Sequence, residues 1–261
     1  KNIGIGYSGG KITTASGNVG IGYGTLKEAT TGYDNVAIGL DTLDALTTGY
    51  DNIAIGGYTA SSMTTAQHNT AVGSGAMFAC TTGIQNVAIG RLAMYTNTTA
   101  NYNTAIGASA LQANTTGTNN VAIGRQTMDA NTTASNNTAV GYSALGANTT
   151  ASYNTAIGKD SLKATTTGQS NSGLGYKSME ANTTGGSNTA LGYYALSANT
   201  TAGNNVAVGA DALALNTTGA SNVAMGASAL DANTTGSSNV AIGWNSMTSN
   251  TNASENTAVG Q

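Results

Sequence analysis

The amino-acid sequence predicts an all-β solenoid of about fifteen coils, and three observations predict it. Asn recurs at every seventeenth position without insertion or deletion, at 18, 35, 52, 69, 86, 103, 120, 137, 154, 171, 188, 205, 222, 239 and 256. With that Asn as position 1 of a row, position 5 is Gly in every row from Gly22 to Gly260. Between them stand β-branched or aliphatic residues at positions 2 and 4, as in "NVAIG" and "NTAIG". A fixed period that tolerates no length change means that each row closes on itself geometrically, which is the defining property of a solenoid.

The strand comes first in each row. Position 2 is Val, Ile, Thr or Ser, position 3 is Ala or Gly, and position 4 is always aliphatic. Side chains alternate across a strand, so positions 2 and 4 share one face and Asn, Ala and Gly share the other. The expected core is then position 4, half of position 2, and the Leu or Met found at position 9 in every full row except that of Ala60, where Met63 is placed to fill the gap. The obligatory Gly at position 5 implies a positive φ or a backbone neighbour too close for a Cβ. Positions 8 to 11, as in "SALQA" at 109–113, do not alternate as a simple strand should, so a single helical or 3₁₀ turn competes with a strand there. Position 13 is always Thr, position 14 is Thr except at Asn252, and position 15 is Gly or Ala, followed by two polar residues that turn the chain back. The first row, Asn2 to Gly17, is one residue short and is expected to be an irregular first coil over 1–17. The whole of 1–261 reads as a single repeat domain, and fifteen coils at about 4.8 Å each predict a length of about 70 Å.

One row carries too little apolar surface to offset the entropy of ordering its own backbone and side chains, so isolated rows cannot fold and stacked rows remain lean. Burial between chains would make up the shortfall, and the Asn/Ala/Gly face is small enough for close contact. Homo-oligomerisation is therefore expected.

Composition narrows the function classes. Only 7% of the 261 residues are charged and 5% aromatic, with 36 Gly, no Pro and a net charge of -3, so polar coverage falls to Asn, Thr and Ser. No Lys/Arg cluster offers a footprint for nucleic acid, and no apolar run approaches a membrane span. A single cysteine, Cys80, cannot form an intrachain disulfide. The chain has no initiator Met and stops inside a repeat at "NTAVGQ", and is expected to be a segment of a longer fibre protein.

No constellation for chemistry emerges. The only His, His68, occupies position 17, a turn site, and no Ser/His/Asp set can be built around it. Asp34 and Asp51 are the only carboxylates in one column on successive rows, and a solvated pair is preferred to a Ca²⁺ site. The glycines follow the coil period and form no phosphate-binding loop. Asn-Thr-Thr at Asn97, Asn114, Asn131, Asn148, Asn182, Asn199, Asn216 and Asn233 fits a glycosylation sequon, but a single coil position explains it as a turn or ladder Asn. Asn-x-Thr at positions 12 to 14 keeps open an ice-binding array. No catalytic residue, cofactor or metal is expected. The most variable column is position 6, directly after the Gly. Its Tyr23, Arg91, Arg125, Tyr142, Lys159, Tyr176, Tyr193 and Trp244 are expected outside the coil, as a permissive solvent face or as a candidate surface for binding sugars or a receptor.

The "NxAIG" segments resemble the head repeats of trimeric autotransporter adhesins, and the longer unit "NTAIGASALQANTTGTN" at 103–119 is similar to repeats of phage tail-fibre proteins and large bacterial surface proteins. That resemblance spans Asn2 to the end. It implies a parallel β-roll, a homotrimer, and a structural shaft that presents attachment to a cell-surface glycan or receptor. The implied location is extracellular, on a phage tail fibre first and a bacterial cell surface second. A self-assembling extracellular filament and an ice-binding solenoid are the alternatives.

Overall fold

The computed structural model describes residues 1–6 and 15–261; residues 7–14, part of the shortened first row, lie outside the described residues. It is an all-β parallel β-solenoid of about fifteen coils, one row of the repeat to each coil, with no helix among the described residues. Two compact units make it up, Lys1–Thr133 and Ala134–Gln261. In the first, three-residue strands from Ile3–Ile5 to Val121–Ile123 pair in parallel and in sequence order. In the second, strands from Thr138–Val140 to Thr257–Val259 do the same. Partners sit one full row apart in the chain, as in Ile38↔Ile55 and Ile157↔Leu174. The first pair, Ile3↔Val19, is offset by one residue less, matching the short first row.

The two faces of the strand are the reverse of the expectation. Position 3 is the buried one, with Ala37, Ala54, Ala105, Ala156, Ala207 and Ala241 fully enclosed, while positions 2 and 4 face outward. The physical reason is the narrowness of the coil. Position 3 holds nothing larger than Ala, and a Cβ placed on Gly173 would lie 2.8 Å from Ser161 Oγ and 3.3 Å from Leu162 Cγ, too close for even a methyl group beside that serine, so the strand meets positions 8 and 9 with no room beyond Ala. Where Gly173 vacates that space, the hydroxyls of Ser161 and Ser178 fill it, 2.9 Å apart, and Ser161 donates to the Gly173 carbonyl at 3.2 Å. The bulk of the core comes from position 9: Leu26, Leu43, Met77, Met94, Leu111, Leu145, Leu196 and Leu213 are fully buried. In the row of Ala60 the large side chain is Met63, three residues on, and both are enclosed.

Neither the helical turn nor the strand forms in the second half of the row. Positions 7 and 9 adopt left-handed backbone, for example Ser109 at φ +57° and Leu111 at φ +52°, which a right-handed turn cannot include. Two tight turns result, closed by Ala110 N donating to Gly107 O at 3.2 Å and Asn114 N to Leu111 O at 3.3 Å. The remaining N–H groups reach neighbouring coils, Ser109 N to Arg91 O and Leu111 N to Thr127 O, both at 2.9 Å. The Gly at position 5 serves both expected purposes. At Gly107 φ is +134°, and a Cβ there would fall 2.5 Å from the carbonyl oxygen of Gly124 in the next coil.

Asn side chains supply what the lean apolar core does not. The position-1 Asn is buried from Asn18 to Asn239, and its Oδ1 accepts from the backbone N–H of the next row's Asn, often from that residue's Nδ2 as well: Asn35 Oδ1 receives Asn52 N at 3.0 Å and Asn52 Nδ2 at 2.9 Å. The amide then donates across the coil to the position-15 carbonyl, as Asn52 Nδ2 does to Ala66 O at 2.8 Å. Rows with Asn at position 12 add a second buried ladder onto the same carbonyl. Gly219 O accepts from Asn205 Nδ2 at 3.0 Å and from Asn216 Nδ2 at 2.9 Å. Buried amides satisfied in this way bind coil to coil within each unit.

Candidate functional site

The position-6 column lies outside the coil because the Gly before it turns the chain away from the core. Tyr23, Arg91, Arg125, Tyr142, Lys159, Tyr193 and Trp244 are exposed, and Tyr176 is half-buried among other surface rings. The structure brings four of the eight together in the second unit. Lys159 Nζ stands 5.9 Å from the Tyr142 ring centre and 5.6 Å from that of Tyr176, and Tyr176 stacks on Tyr193 at 5.5 Å and 17°. Trp244 stands three rows beyond Tyr193, with Ala210 and Ala227 at position 6 between them. Tyr23, Arg91 and Arg125 belong to the first unit.

Four residues of this surface were missed by reading one column alone. Tyr194 and Lys177 stand at position 7, Glu180 at position 10 and Leu215 at position 11. Tyr194 meets Tyr193 edge to face at 4.5 Å and 78°, and Tyr176 at 5.6 Å and 80°. Lys177 Nζ lies 5.7 Å from the centres of both Tyr176 and Tyr194 and 3.1 Å from Glu180 Oε1. The hydrogen bond to Glu180 raises the Lys177 pKa, and burial against its neighbours raises that of Tyr194. Next to this group, Asp160 accepts Lys163 Nζ on Oδ1 at 3.0 Å, with Lys159 Nζ 3.9 Å from Oδ2. The signal for these residues was departure from the repeat: Tyr-Tyr occurs once, at 193–194, and Leu215 is the only Leu at position 11.

Other candidates resolve into structure. His68 is an exposed turn residue at φ +56°, with Nδ1 3.5 Å from Asp51 Oδ2 and its ring edge-on to Tyr50 at 5.1 Å. Among the described residues no three His, Cys, Asp or Glu gather as metal ligands, and no helix is long and apolar enough to cross a membrane. The sequon asparagines Asn97, Asn114, Asn131, Asn148, Asn182, Asn199, Asn216 and Asn233 are fully buried in the second ladder, where no glycan could be attached in the folded chain. The Asn-x-Thr array is split between inside and outside. Asn at 12 is enclosed, Thr at 13 donates to the next coil, as Thr200 Oγ1 does to Thr217 O at 3.1 Å, and only Thr at 14 faces out. Cys80 is buried at position 12, and burial pushes its thiol pKa up to about 12. The chain matches no protein-family model and no curated protein.

Proposed function

We propose that the chain is the non-catalytic shaft of an extracellular attachment fibre, built by three copies that meet through the outward faces of their NxAIG strands. The observation that carries this reading is the strand face itself. Ile55, Ile89, Ile106, Leu174, Met225 and Ile242 are exposed at position 4, in register along the strands of each unit and flanked at position 2 by Val, Ile or Thr, or by Ser172 beside Leu174. Continuous apolar faces of this kind mark interfaces on soluble proteins. Because every coil presents the same face, a second copy of the chain complements it coil for coil, as a closed homo-oligomer requires. The number three, and a phage tail fibre before a bacterial surface adhesin, follow from the resemblance to adhesin heads and tail-fibre repeats. Coil-to-coil hydrogen bonding suits such a shaft, since pulling one row away breaks a strand pairing and an Asn ladder together.

Sedimentation of the purified chain tests the reading. The expected mass is about three times 25.7 kDa, and the double variant Ile106→Glu/Ile123→Glu is expected to sediment as a monomer with its β content retained, because both side chains stand outside the coil. A monomeric parent chain would contradict the proposal.

A further inference from the structure

The second unit carries a cleft that the solenoid does not need. Tyr193, Tyr194, Ser197, Ala198, Ala214 and Leu215 line it, and Glu180 and Asp211 bring carboxylates to it; the volume is about 520 Å³. Small-molecule sites fall in the range of about 300–1,000 Å³, and this one lies broadly open to solvent, so it suits one face of a small ring and not an enclosed ligand. Leu215 and the adjacent pair Tyr193–Tyr194 depart from the repeat, while Tyr alone recurs at position 6 in Tyr23, Tyr142 and Tyr176. Position 11 is Ala in most rows but Leu215 here, 56% exposed, and position 6 is Ala in the two following rows but Tyr193 here, 54% exposed. Tyr194 holds left-handed backbone at φ +54°, at a position where Ser109, Ser143 and Ser228 stand in other rows. Neither Tyr193 nor Leu215 contributes to the core.

We propose that this cleft is a binding subsite for one neutral pyranose residue of a glycan. Tyr176 stacks on Tyr193 at 5.5 Å and Tyr194 packs against it edge to face at 4.5 Å, while the next row carries only Ala210 at position 6, so the exposed part of the Tyr193 ring is the aromatic face beside the cleft. Such a face suits the C–H side of a sugar ring, and the carboxylates of Glu180 and Asp211 suit its hydroxyls as acceptors. Charge selects the class. Glu180 is already paired with Lys177 at 3.1 Å, which leaves the Asp211 carboxylate in the lining to disfavour an anionic sugar, and the cation positions over Tyr176 and Tyr194 are already taken by Lys177, with Lys159 also over Tyr176. The subsite deepens the attachment role of the proposed function, yet its test is separate: a monomeric mass would end the shaft reading and leave the cleft as it is.

Saturation-transfer NMR and calorimetry on the full chain provide the test, with methyl glycosides of glucose, galactose, mannose and N-acetylglucosamine as probes, and glucuronate and choline as charged comparisons. At least one neutral glycoside is expected to bind with a Kd of about 1 mM. Tyr193→Ala, Tyr194→Ser and Leu215→Ala each restore a residue found in that column in other rows, so they retain the fold, and each is expected to weaken binding about tenfold or more. Tyr153→Ala, at an exposed position 17 elsewhere in the unit, is expected to leave binding unchanged. The proposal is overturned if no neutral glycoside shows transfer at about 10 mM, if binding survives the three cleft substitutions, or if choline or glucuronate binds in preference.

Discussion

Replacing Asn52 by Ala removes one rung of the position-1 ladder, and the structure sets the cost. Asn52 Oδ1 accepts Asn69 N at 3.1 Å, and Asn52 Nδ2 donates to Ala66 O at 2.8 Å. Both partners are buried, and Ala66 O has no second amide donor here because position 12 of that row is Met63. Truncation therefore strands one N–H and one C=O, at about 1–3 kcal/mol each, or about 2–6 kcal/mol together. Asn216→Ala, in the second ladder, is the internal comparison. Gly219 O keeps Asn205 Nδ2 at 3.0 Å and Asn233 Nδ2 keeps Gly236 O at 2.9 Å, so only Asn199 Oδ1 loses its donor, for about 1–3 kcal/mol. Asn52→Asp keeps the shape but turns a donor into an acceptor facing Asn35 Oδ1 and the carbonyls of Tyr50 and Ala66. Burial among oxygens raises that carboxyl's folded-state pKa. The variant is then most stable below the ordinary carboxylate range near pH 4, and loses stability as pH rises through the raised value. Urea unfolding followed by circular dichroism measures all three. An Asn52→Ala loss below about 1 kcal/mol, or one no larger than that of Asn216→Ala, would refute the reasoning.

Glycine substitutions should divide sharply by position. Gly107→Ala, at φ +134° with its Cβ 2.5 Å from Gly124 O, should cost about 3 kcal/mol or more, whereas Gly57→Ala, with nothing within 4 Å, should be neutral or stabilising by up to about 1 kcal/mol; thermal unfolding distinguishes them. Met63→Ala leaves both position 9 and position 12 of one row small and should cost about 2–5 kcal/mol in the same assay. Cys80, with its pKa raised to about 12 by burial, should resist a thiol reagent until the chain unfolds. Its protonated form is favoured in the folded state, so its contribution to stability is complete below the unfolded value of 9.0 and falls as pH rises from there toward about 12.

The period, the strand, the Gly turn, the position-9 core and the outward position-6 column were all legible in the sequence, because each is a column repeated row after row. The facing of the strand was not. Val, Ile and Leu at positions 2 and 4 satisfy the usual rule for a buried face, and that rule fails here because the coil interior beside the strand admits only Ala. The counter-signal was present in position 1. Asn holds it in all fifteen rows, and one invariant amide per turn fits an internal ladder better than an outer contact surface. Position 12 carried the same lesson in weaker form, varying among Asn, Ala29, Leu46, Met63, Cys80 and Thr165 where a second donor to the position-15 carbonyl can be spared. Position 7 carried a partial signature of left-handed backbone in Gly24, Asp41, Gly75, Asp160, Asp211 and Asn245, but position 9 had none, since Leu and Met have no preference for that conformation and only packing imposes it. The cleft at Tyr193, Tyr194 and Leu215 spans three columns and two rows, so it emerges only when the columns are folded side by side.

Hydrogen exchange of the Asn side-chain amides, followed by NMR on the folded chain, tests the central claim most directly: that an internal amide ladder joins coil to coil. The Nδ2 protons of Asn35, Asn52, Asn188 and Asn222 are expected to exchange as slowly as the strand backbone amides beside them. Exchange at the rate of the same side chains in urea would place those amides outside the coil and contradict it.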